Sequence, residues 1–384
     1  MNDVEQVEGL LMDRVSKRVA VIVGAGIAGL ATAVALARRG WVVEILELSP
    51  DGLTAGWGLA LTGPSLRALR TLELDGKMIA TGYGMTRITN WEPTGDSVEI
   101  EPPRLLGPDA PAMVGISRPA LQRTLVEEAR RLGVSITYGS NVTSIEHGAD
   151  GVRLGLEDGG GRLADLVVGA DGIRSRVREL LGITTSLSYT GQAVWRARIP
   201  RPAWVTGINT FSLEDRQMGV VPIGAESAYV FYTENGAPRE IIADEFLAAR
   251  MHVQLEPFTG LAGELREAIR DSDGVVRRFA QTVIVESSWN VDRVVIVGDA
   301  SHAPSPQMAS GAALAIEDAA VLAEELDRTP AVDQALRAFT ERRFERCSTL
   351  VKTSERIAQL EQNRMHRESH ALIDQCHGLM AQPA

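Results

Sequence analysis

Apolar and polar positions change period along this chain, and the changes mark its elements. Residues 18–23, RVAVIV, form a short run rich in β-branched residues, the pattern of a strand buried on both faces. Residues 30–40, LATAVALARRG, are small and apolar and stop at Gly40, which predicts a helix. Residues 41–48, WVVEILEL, return to a strand pattern. A strand, a helix and a second strand in that order predict the start of a doubly wound parallel sheet.

Residues 117–133 are well punctuated as a helix. Ser117 is the cap, Pro119 sits in the first turn, Leu121, Leu125, Val126, Ala129 and Leu132 share a face, and Gly133 is the stop. Strand patterns follow at VSITYG (134–139) and on both sides of a Gly-rich hairpin at 159–161. Between 190 and 235 the runs GQAVWRARIP, INTFSL, MGVVPIG and AYVFYT predict an antiparallel sheet. In the first of these, alternation places Ala193, Trp195, Ala197 and Ile199 on one face and Gln192, Arg196 and Arg198 on the other. VDRVVIV (291–297) returns to the first sheet, and from Gly311 to about residue 367 the spacing is helical.

The predicted class is α/β, a Rossmann-like nucleotide-binding domain interleaved with an antiparallel-sheet domain and followed by helices. The expected division has a flexible extension at 1–17 and a nucleotide-binding domain from 18–75, 105–185 and 285–330. A substrate-binding sheet domain comes from 76–104 and 186–284, and a helical segment from 331–384.

Lys plus Arg number 39 and Asp plus Glu 50, a net charge of −11 that argues against a nucleic-acid or anionic-membrane partner. Cys347 and Cys376 are too few for a disulfide framework or a four-ligand zinc site, so no metal is expected and both are read as reduced thiols of a cytoplasmic protein. No apolar run is long enough to span a membrane.

The chemistry begins at Gly24-Ala25-Gly26-Ile27-Ala28-Gly29, a GxGxxG between a predicted strand and a predicted helix. Gly24 allows the tight turn, Gly26 lets backbone N–H groups of the Ile27–Ala28 turn approach a pyrophosphate, and Gly29 lets helix and strand pack closely. Glu47, with Leu48 beside it, ends the second strand and is placed to accept both ribose hydroxyls of an adenosine.

Two later motifs bring in a family. Val168-Gly169-Ala170-Asp171-Gly172, continuing to Arg178, resembles the Asp-Gly motif of single-component flavoprotein aromatic hydroxylases. Gly298-Asp299-Ala300-Ser301-His302-Ala303, with Pro306 and Gly311, resembles their Gly-Asp motif. The resemblance runs from residue 18 to about 350, and salicylate, 6-hydroxynicotinate and urate hydroxylases are its members of similar size. It implies tight, non-covalent FAD, NADH or NADPH as co-substrate, and hydroxylation by O2 of a small aromatic or heteroaromatic ring through a C4a-hydroperoxyflavin. It implies that Asp171 supports FAD, that Asp299 holds the ribityl chain, and that Gly311, Ala312 and Ala313 meet the flavin edge at a helix N-terminus. Arg118 is implied near ribose and pyrophosphate, Val142 beside the adenine, and the 56–60 segment with Gly58 and Ala60 near the isoalloxazine. Trp57 stands where the family often has a small residue, and Ala312-Ala313 replaces a pair that often carries asparagine. His302 is read as structural.

On the substrate side, position matching within the family nominates Tyr229, Gln217 and Gln307. Urate-acting members carry an arginine where Gln217 stands and an acid where Gln307 stands, so a urate-like anion is disfavoured. No strong base is visible beside Tyr229, and a partly ionised substrate is expected. The chain is expected to be a monomer or homodimer. Two alternatives stay open on the sequence: an FAD-dependent reductase or oxidase of another small molecule, and a flavin-binding protein without turnover.

Overall fold

The computed structural model describes residues 18–52, 57–213, 216–270, 272 and 274–384; the extension at 1–17 and Gly56 lie outside the described residues. Two sheets organise the chain. The first is six-stranded, in the spatial order Asn290–Val291, Val294–Ile296, Leu166–Gly169, Val19–Val23, Val42–Glu47, Ser135–Tyr138. Its inner pairings are all parallel, and only the short Asn290–Val291 edge strand runs antiparallel. Val23 lies level with Leu46 on one side and Gly169 on the other, and Gly169 lies level with Ile296. Register therefore brings the carboxyl ends of four strands to one edge. The residues that follow those ends are Gly24, Glu47, Asp171 and Asp299, so segments far apart in sequence meet along one line.

The second sheet has eight strands, running from His302–Ala303 through Val275–Ile284, Ser188–Pro200, Ser227–Asn235, Gln217–Pro222, Ile208–Ser212 and Ile88–Trp91 to Ser97–Ile100. All its pairings are antiparallel except that of Ile208–Ser212 with Ile88–Trp91. Trp195, Ala197 and Ile199 are buried in a core closed by the helices Asp244–Gln254 and Gly260–Ile269, which the sequence patterns did not predict. Arg196 and Arg198 point to the other face, as alternation requires. A small third cluster contains Ala60, Met113, Val221 and Tyr229. It includes a three-stranded sheet, Gly58–Leu61, Met113–Ser117 and Tyr83–Met85, that was also missed.

The helical stretch expected from 311 to about 367 is broken. Helices run Gly311–Arg328, Val332–Gln362 and His366–Ala381. Pro330 lacks the N–H needed to continue the first, and Arg364 turns the chain at a φ of 60° after the second.

Beneath the Gly311–Arg328 helix lies a buried ionic network. Asp318, fully buried, accepts from Gly298 N at 2.8 Å, His302 Nε2 at 2.7 Å and Arg343 Nε at 2.8 Å. Glu317 accepts from Arg343 Nη1 at 3.0 Å and from Arg346 Nη2 at 2.8 Å. Burial alone would lower the His302 imidazole, but the Asp318 carboxylate outweighs it and holds His302 protonated well above its usual range. Cys347 is close enough to form a triad with His302 and Asp318, yet the Arg343 guanidinium already neutralises that carboxylate, so the arrangement is an ion-pair network.

Replacing Arg343 with Met leaves two buried carboxylates short of a cation and should cost about 3–5 kcal/mol of stability, read by urea unfolding. A second outcome concerns pH. The folded His302 pKa is raised, so its contribution is complete below the ordinary imidazole value, declines as pH rises and is gone above the raised value. An alkaline decline in stability that is absent from His302→Gln is the expected result.

Candidate functional site

At the end of the Val19–Val23 strand the chain turns on Gly24, whose φ of 107° favours glycine and whose N donates to Leu46 O at 2.8 Å. The three glycines of the motif have different surroundings. A Cβ on Gly29 would lie 1.9 Å from Gly24 O, so that position sets how closely helix and loop approach. A Cβ on Gly26 would meet nothing within 4 Å, because it points into open space before the Ile27–Ala37 helix. That helix has no side-chain cap on Gly26, and Ile27 and Ala28 begin it with amides that find no partner in the preceding turn. Open space at a bare helix N-terminus suits an anion such as a pyrophosphate.

Glu47 is held rather than loose. Its Oε2 accepts from Ala25 N at 2.6 Å and its Oε1 from Ser49 N at 2.8 Å, which leaves each oxygen a second lone pair for a ribose hydroxyl. Leu48 beside it is 65% exposed. Gln122, not nominated from the sequence, donates to Gly52 O at 3.0 Å and Ala25 O at 3.3 Å and so ties the glycine loop to the Arg118–Arg131 helix.

Asp171 is held within its own loop. Its carboxylate accepts from Ser175 Oγ at 2.6 Å and from the amides of Arg176 at 2.6 Å and Val177 at 3.0 Å, capping the Arg176–Leu180 helix. That side chain therefore fixes the shape of the loop after the Leu166–Gly169 strand. Val142, expected beside an adenine, begins the Val142–Gly148 strand with its side chain buried in the first core.

Asp299 sits in the short turn Gly298–Ala300. A Cβ on Gly298 would lie 2.8 Å from Ala28 Cβ, which brings this turn against the first turn of the glycine-loop helix. The Asp299 side chain is exposed to solvent, yet burial pushes its carboxyl above the usual range, with His302 and Arg118 opposing. Both hold if it faces a cleft walled by protein on most sides. Arg118 faces the same cleft: burial and the Arg196 charge push its pKa down, while Asp299 and Tyr229 push it up. The cleft thus has the nucleotide edge on one side and the Arg196 face of the second sheet on the other.

Further along the chain from Asp299 comes the loop from Pro306 to Gly311. Pro306 opens a single 3-10 turn, and Ala309 closes it at a left-handed φ of 49°. The Gly311–Arg328 helix then starts without a side-chain cap, and Ser310 Oγ, buried, has no hydrogen-bond partner. Ala312 and Ala313 bring no polar side chain, so the donors here are backbone amides. Trp57 Nε1 is likewise buried and has no partner among the described residues. Gly58, next to it, carries Tyr229 so closely that a Cβ would lie 2.8 Å from the Tyr229 Cδ1, and Ala60 is buried in the same cluster. Two open helix N-termini, a paired acceptor at Glu47, an acceptor at Asp299 and a cation at Arg118 fit a flavin dinucleotide along this cleft.

The substrate-side candidates separate. Gln217 pairs with Thr233 and Val221 with Tyr229, so Gln217 and Tyr229 are four strand positions apart, about 13 Å. Tyr229 is packed on Gly58 beside Arg118 and Arg196, and burial holds its phenol above the usual value. Gln217 instead lines a cavity with Ser212, Thr233, Glu361, His370 and Ile373. Gln307 belongs to that end, donating to Gln192 Oε1 at 2.5 Å and Glu361 Oε2 at 3.4 Å. An outer cavity of about 390 Å³ between Trp91, Thr210, Leu213 and Arg367 shares Ser212 and His370 with the inner one. Glu361 and His370 were not nominated from the sequence, because they lie on C-terminal helices with no local motif.

The FAD binding domain family matches residues 17–354. The chain belongs to that family. It is a flavoprotein of the single-component aromatic hydroxylase group, and its cofactor is FAD. It is 30% identical over 365 residues to a putative FAD-dependent monooxygenase, YetM, of Bacillus subtilis, covering 94% of this chain and 98% of that one. It is 31% identical over 319 residues to the 2-heptyl-3-hydroxy-4(1H)-quinolone synthase of Pseudomonas aeruginosa PAO1, covering 79% of each. In fold, this flavoprotein is similar to Klebsiella pneumoniae HpxO complexed with FAD and uric acid, with a TM-score of 0.85 at 23% identity over 95% of this chain and 97% of that one.

The glycine geometry separates two substitutions in one motif. Gly26→Val should leave a folded protein that loses at least tenfold in FAD affinity, whereas Gly29→Ala should lower the yield or stability of the apoprotein itself. FAD content by absorbance and thermal unfolding of the apoprotein check both, and a Gly26→Val holoenzyme with normal FAD would remove the pyrophosphate from that N-terminus. Asp299→Ala should also weaken FAD retention, because a walled acceptor is lost.

Proposed function

We propose that this FAD-dependent monooxygenase hydroxylates a neutral heteroaromatic ring held between the Pro306–Gly311 loop and the polar face of the eight-stranded sheet. The observation that carries the reading is the pairing of the Asp299–Arg118 cleft with a cavity lined by Gln217, Thr233 and Asn235, near which Gln307 donates to the lining residue Glu361. The amides and hydroxyls of Gln217, Thr233 and Asn235 suit a polar ring, and the opposite charges of Glu361 and Arg216 on the same wall give no net preference for an anion. The quinolone in the name of the Pseudomonas relative and the uric acid bound by HpxO are heteroaromatic compounds of this kind of size.

FAD, when bound, takes two electrons from NADH or NADPH and uses O2 to place one oxygen atom on an electron-rich ring, the second leaving as water. The protein's part is to hold, orient and exclude water. Glu47 would take the ribose hydroxyls, the Gly26 N-terminus the pyrophosphate and Asp299 the ribityl chain. The Ser310–Gly311 N-terminus would face the electron-rich edge of the reduced ring. Tyr229, kept protonated by burial, would serve as a hydrogen-bond donor at the cleft end and not as a base. The sheet would close the open face of the flavin and keep water from it.

We assign 18–75, 105–185 and 285–330 to the FAD-binding half, 76–104 and 186–284 to the substrate half, and 331–384 to a helical segment. Separate cores under the two large sheets support this division. We place the protein in the cytoplasm, as a monomer or homodimer; two free, buried cysteines accord with a reducing compartment. No helix among the described residues is long and apolar enough to cross a membrane.

The holoenzyme should be yellow, consume NADH or NADPH in the presence of hydroxylated N-heteroaromatics, and insert one atom of labelled oxygen into product. Tyr229→Phe and Gln217→Ala should each lower product formed per NADH by about 3- to 10-fold, the size of one lost hydrogen bond. Unchanged coupling in both would move the substrate away from this sheet face.

A further inference from the structure

Acids outnumber bases in this chain, which carries a net charge of −11, and its buried arginines find carboxylates. Arg277 reaches Glu234 at 3.0 Å and Arg343 reaches Asp318 at 2.8 Å. Arg196 differs. It is half-buried on the cleft face of the Ser188–Pro200 strand, and no hydrogen bond or ion pair holds it among the described residues. The charge it meets is a like one, the Arg118 guanidinium, close enough for the two to oppose each other. Arg278 pairs across strands with Val194, two positions from Arg196 on the same face. It is exposed, donates to the neighbouring Arg277 O at 3.1 Å and makes no ion pair among the described residues. Diagonal neighbours of this kind lie about 7–8 Å apart at Cα, so two long guanidinium arms can close on one ligand.

A half-buried cation without a counter-charge calls for an anion, and the planar arginine fork matches phosphate oxygens two at a time. The diphosphate of FAD is assigned above to the Gly26 N-terminus, and the ring substrate is read as uncharged. The remaining anion of the reaction is the nicotinamide dinucleotide. We propose that Arg196 and Arg278 hold the diphosphate of NADH or NADPH at the sheet side of the cleft, Arg196 as the inner contact and Arg278 as the outer. This rests on the monooxygenase reading above and adds to it a docking site for the electron donor. In that reading the nucleotide-binding half covers one face of the flavin, so the donor approaches on the sheet side. Local positive charge also gives an acidic protein a place to draw in a polyanion against its overall field. The two guanidiniums act on binding, and the electron transfer that follows does not depend on them once the donor is seated.

The test follows anaerobic bleaching of the FAD holoenzyme by rapid mixing with NADH, NADPH or 1-benzyl-1,4-dihydronicotinamide, a donor without phosphate. Arg196→Gln should keep its FAD and raise the apparent Kd for the better nucleotide about tenfold or more, with the limiting rate of bleaching unchanged. Arg278→Gln, at an exposed position, should raise that Kd about three- to fivefold. Bleaching by the benzyl donor should match wild type in both variants. ADP-ribose, which has the diphosphate without the nicotinamide, should compete with the nucleotide in wild type and about tenfold less well in Arg196→Gln. An unchanged nucleotide Kd in Arg196→Gln overturns the proposal, and so does an equal slowing with the benzyl donor, which places Arg196 on the flavin itself. Should Arg196→Gln fail to retain FAD, Arg278→Gln decides by the same measurement, and an unchanged Kd there overturns the site. A wild-type enzyme bleached by NADH in an arginine-dependent way that puts no labelled oxygen into any ring overturns the monooxygenase reading and leaves the docking site supported.

Discussion

One carboxylate, that of Asp318, fixes the part of the molecule on which the cofactor site depends. It takes the Gly298 amide, the His302 imidazole and the Arg343 guanidinium at once, joining the Gly-Asp turn, the strand after it and the long C-terminal helix. All of these groups are buried, and a buried charge is tolerable only when its partners are in place together. The position of Asp299 and the opening of the Gly311–Arg328 helix follow from that single knot. A histidine that invites a catalytic reading is therefore a positioning group, and its charge is maintained by Asp318 rather than by solvent.

The nucleotide half was legible because its signals are local. Glycines at 24, 26 and 29 need their spacing only within one turn, and the structure gives each a different physical reason. Strand alternation in 191–199 likewise separated Arg196 and Arg198 from Trp195 and Ala197, and the structure puts the latter pair in the core. What failed to show depends on tertiary placement. The three-stranded sheet pairing Gly58–Leu61 with Met113–Ser117 joins segments with little alternation of their own. The hydrogen bonds that the Asp171 carboxylate makes to Ser175, Arg176 and Val177 also could not be read from its motif. Glu361 and His370 lie far along the chain from Gln217, and nothing nearby in sequence marks them as cavity residues.

The same contrast explains the substrate side. Residues matched one at a time, such as Tyr229 and Gln217, were treated as one cluster. A strand nevertheless spaces its same-face residues at a fixed rise, and these two belong to different ends of one surface. Between them the Phe231 ring lies over Gly219, where a Cβ would come within 2.5 Å of it. The sheet therefore offers a cationic, aromatic end beside Arg118 and an amide-rich end beside the C-terminal helices, where charges of both signs meet. A planar ring lying across both ends would meet different chemistry along its length, which gives it a direction as well as a place.

His302–Ala303 is both the continuation of the Gly-Asp turn and the edge strand of the eight-stranded sheet, paired with Val283 and Ile284. The floor under the cofactor and the roof over the substrate are thus stitched by backbone hydrogen bonds into one fabric. Such a seam does not let the halves part like the leaves of a clamshell. Traffic through the enzyme falls instead to smaller parts: side chains at the mouth between Trp91 and His370, and the ligands themselves, which must slide within a frame that stays closed.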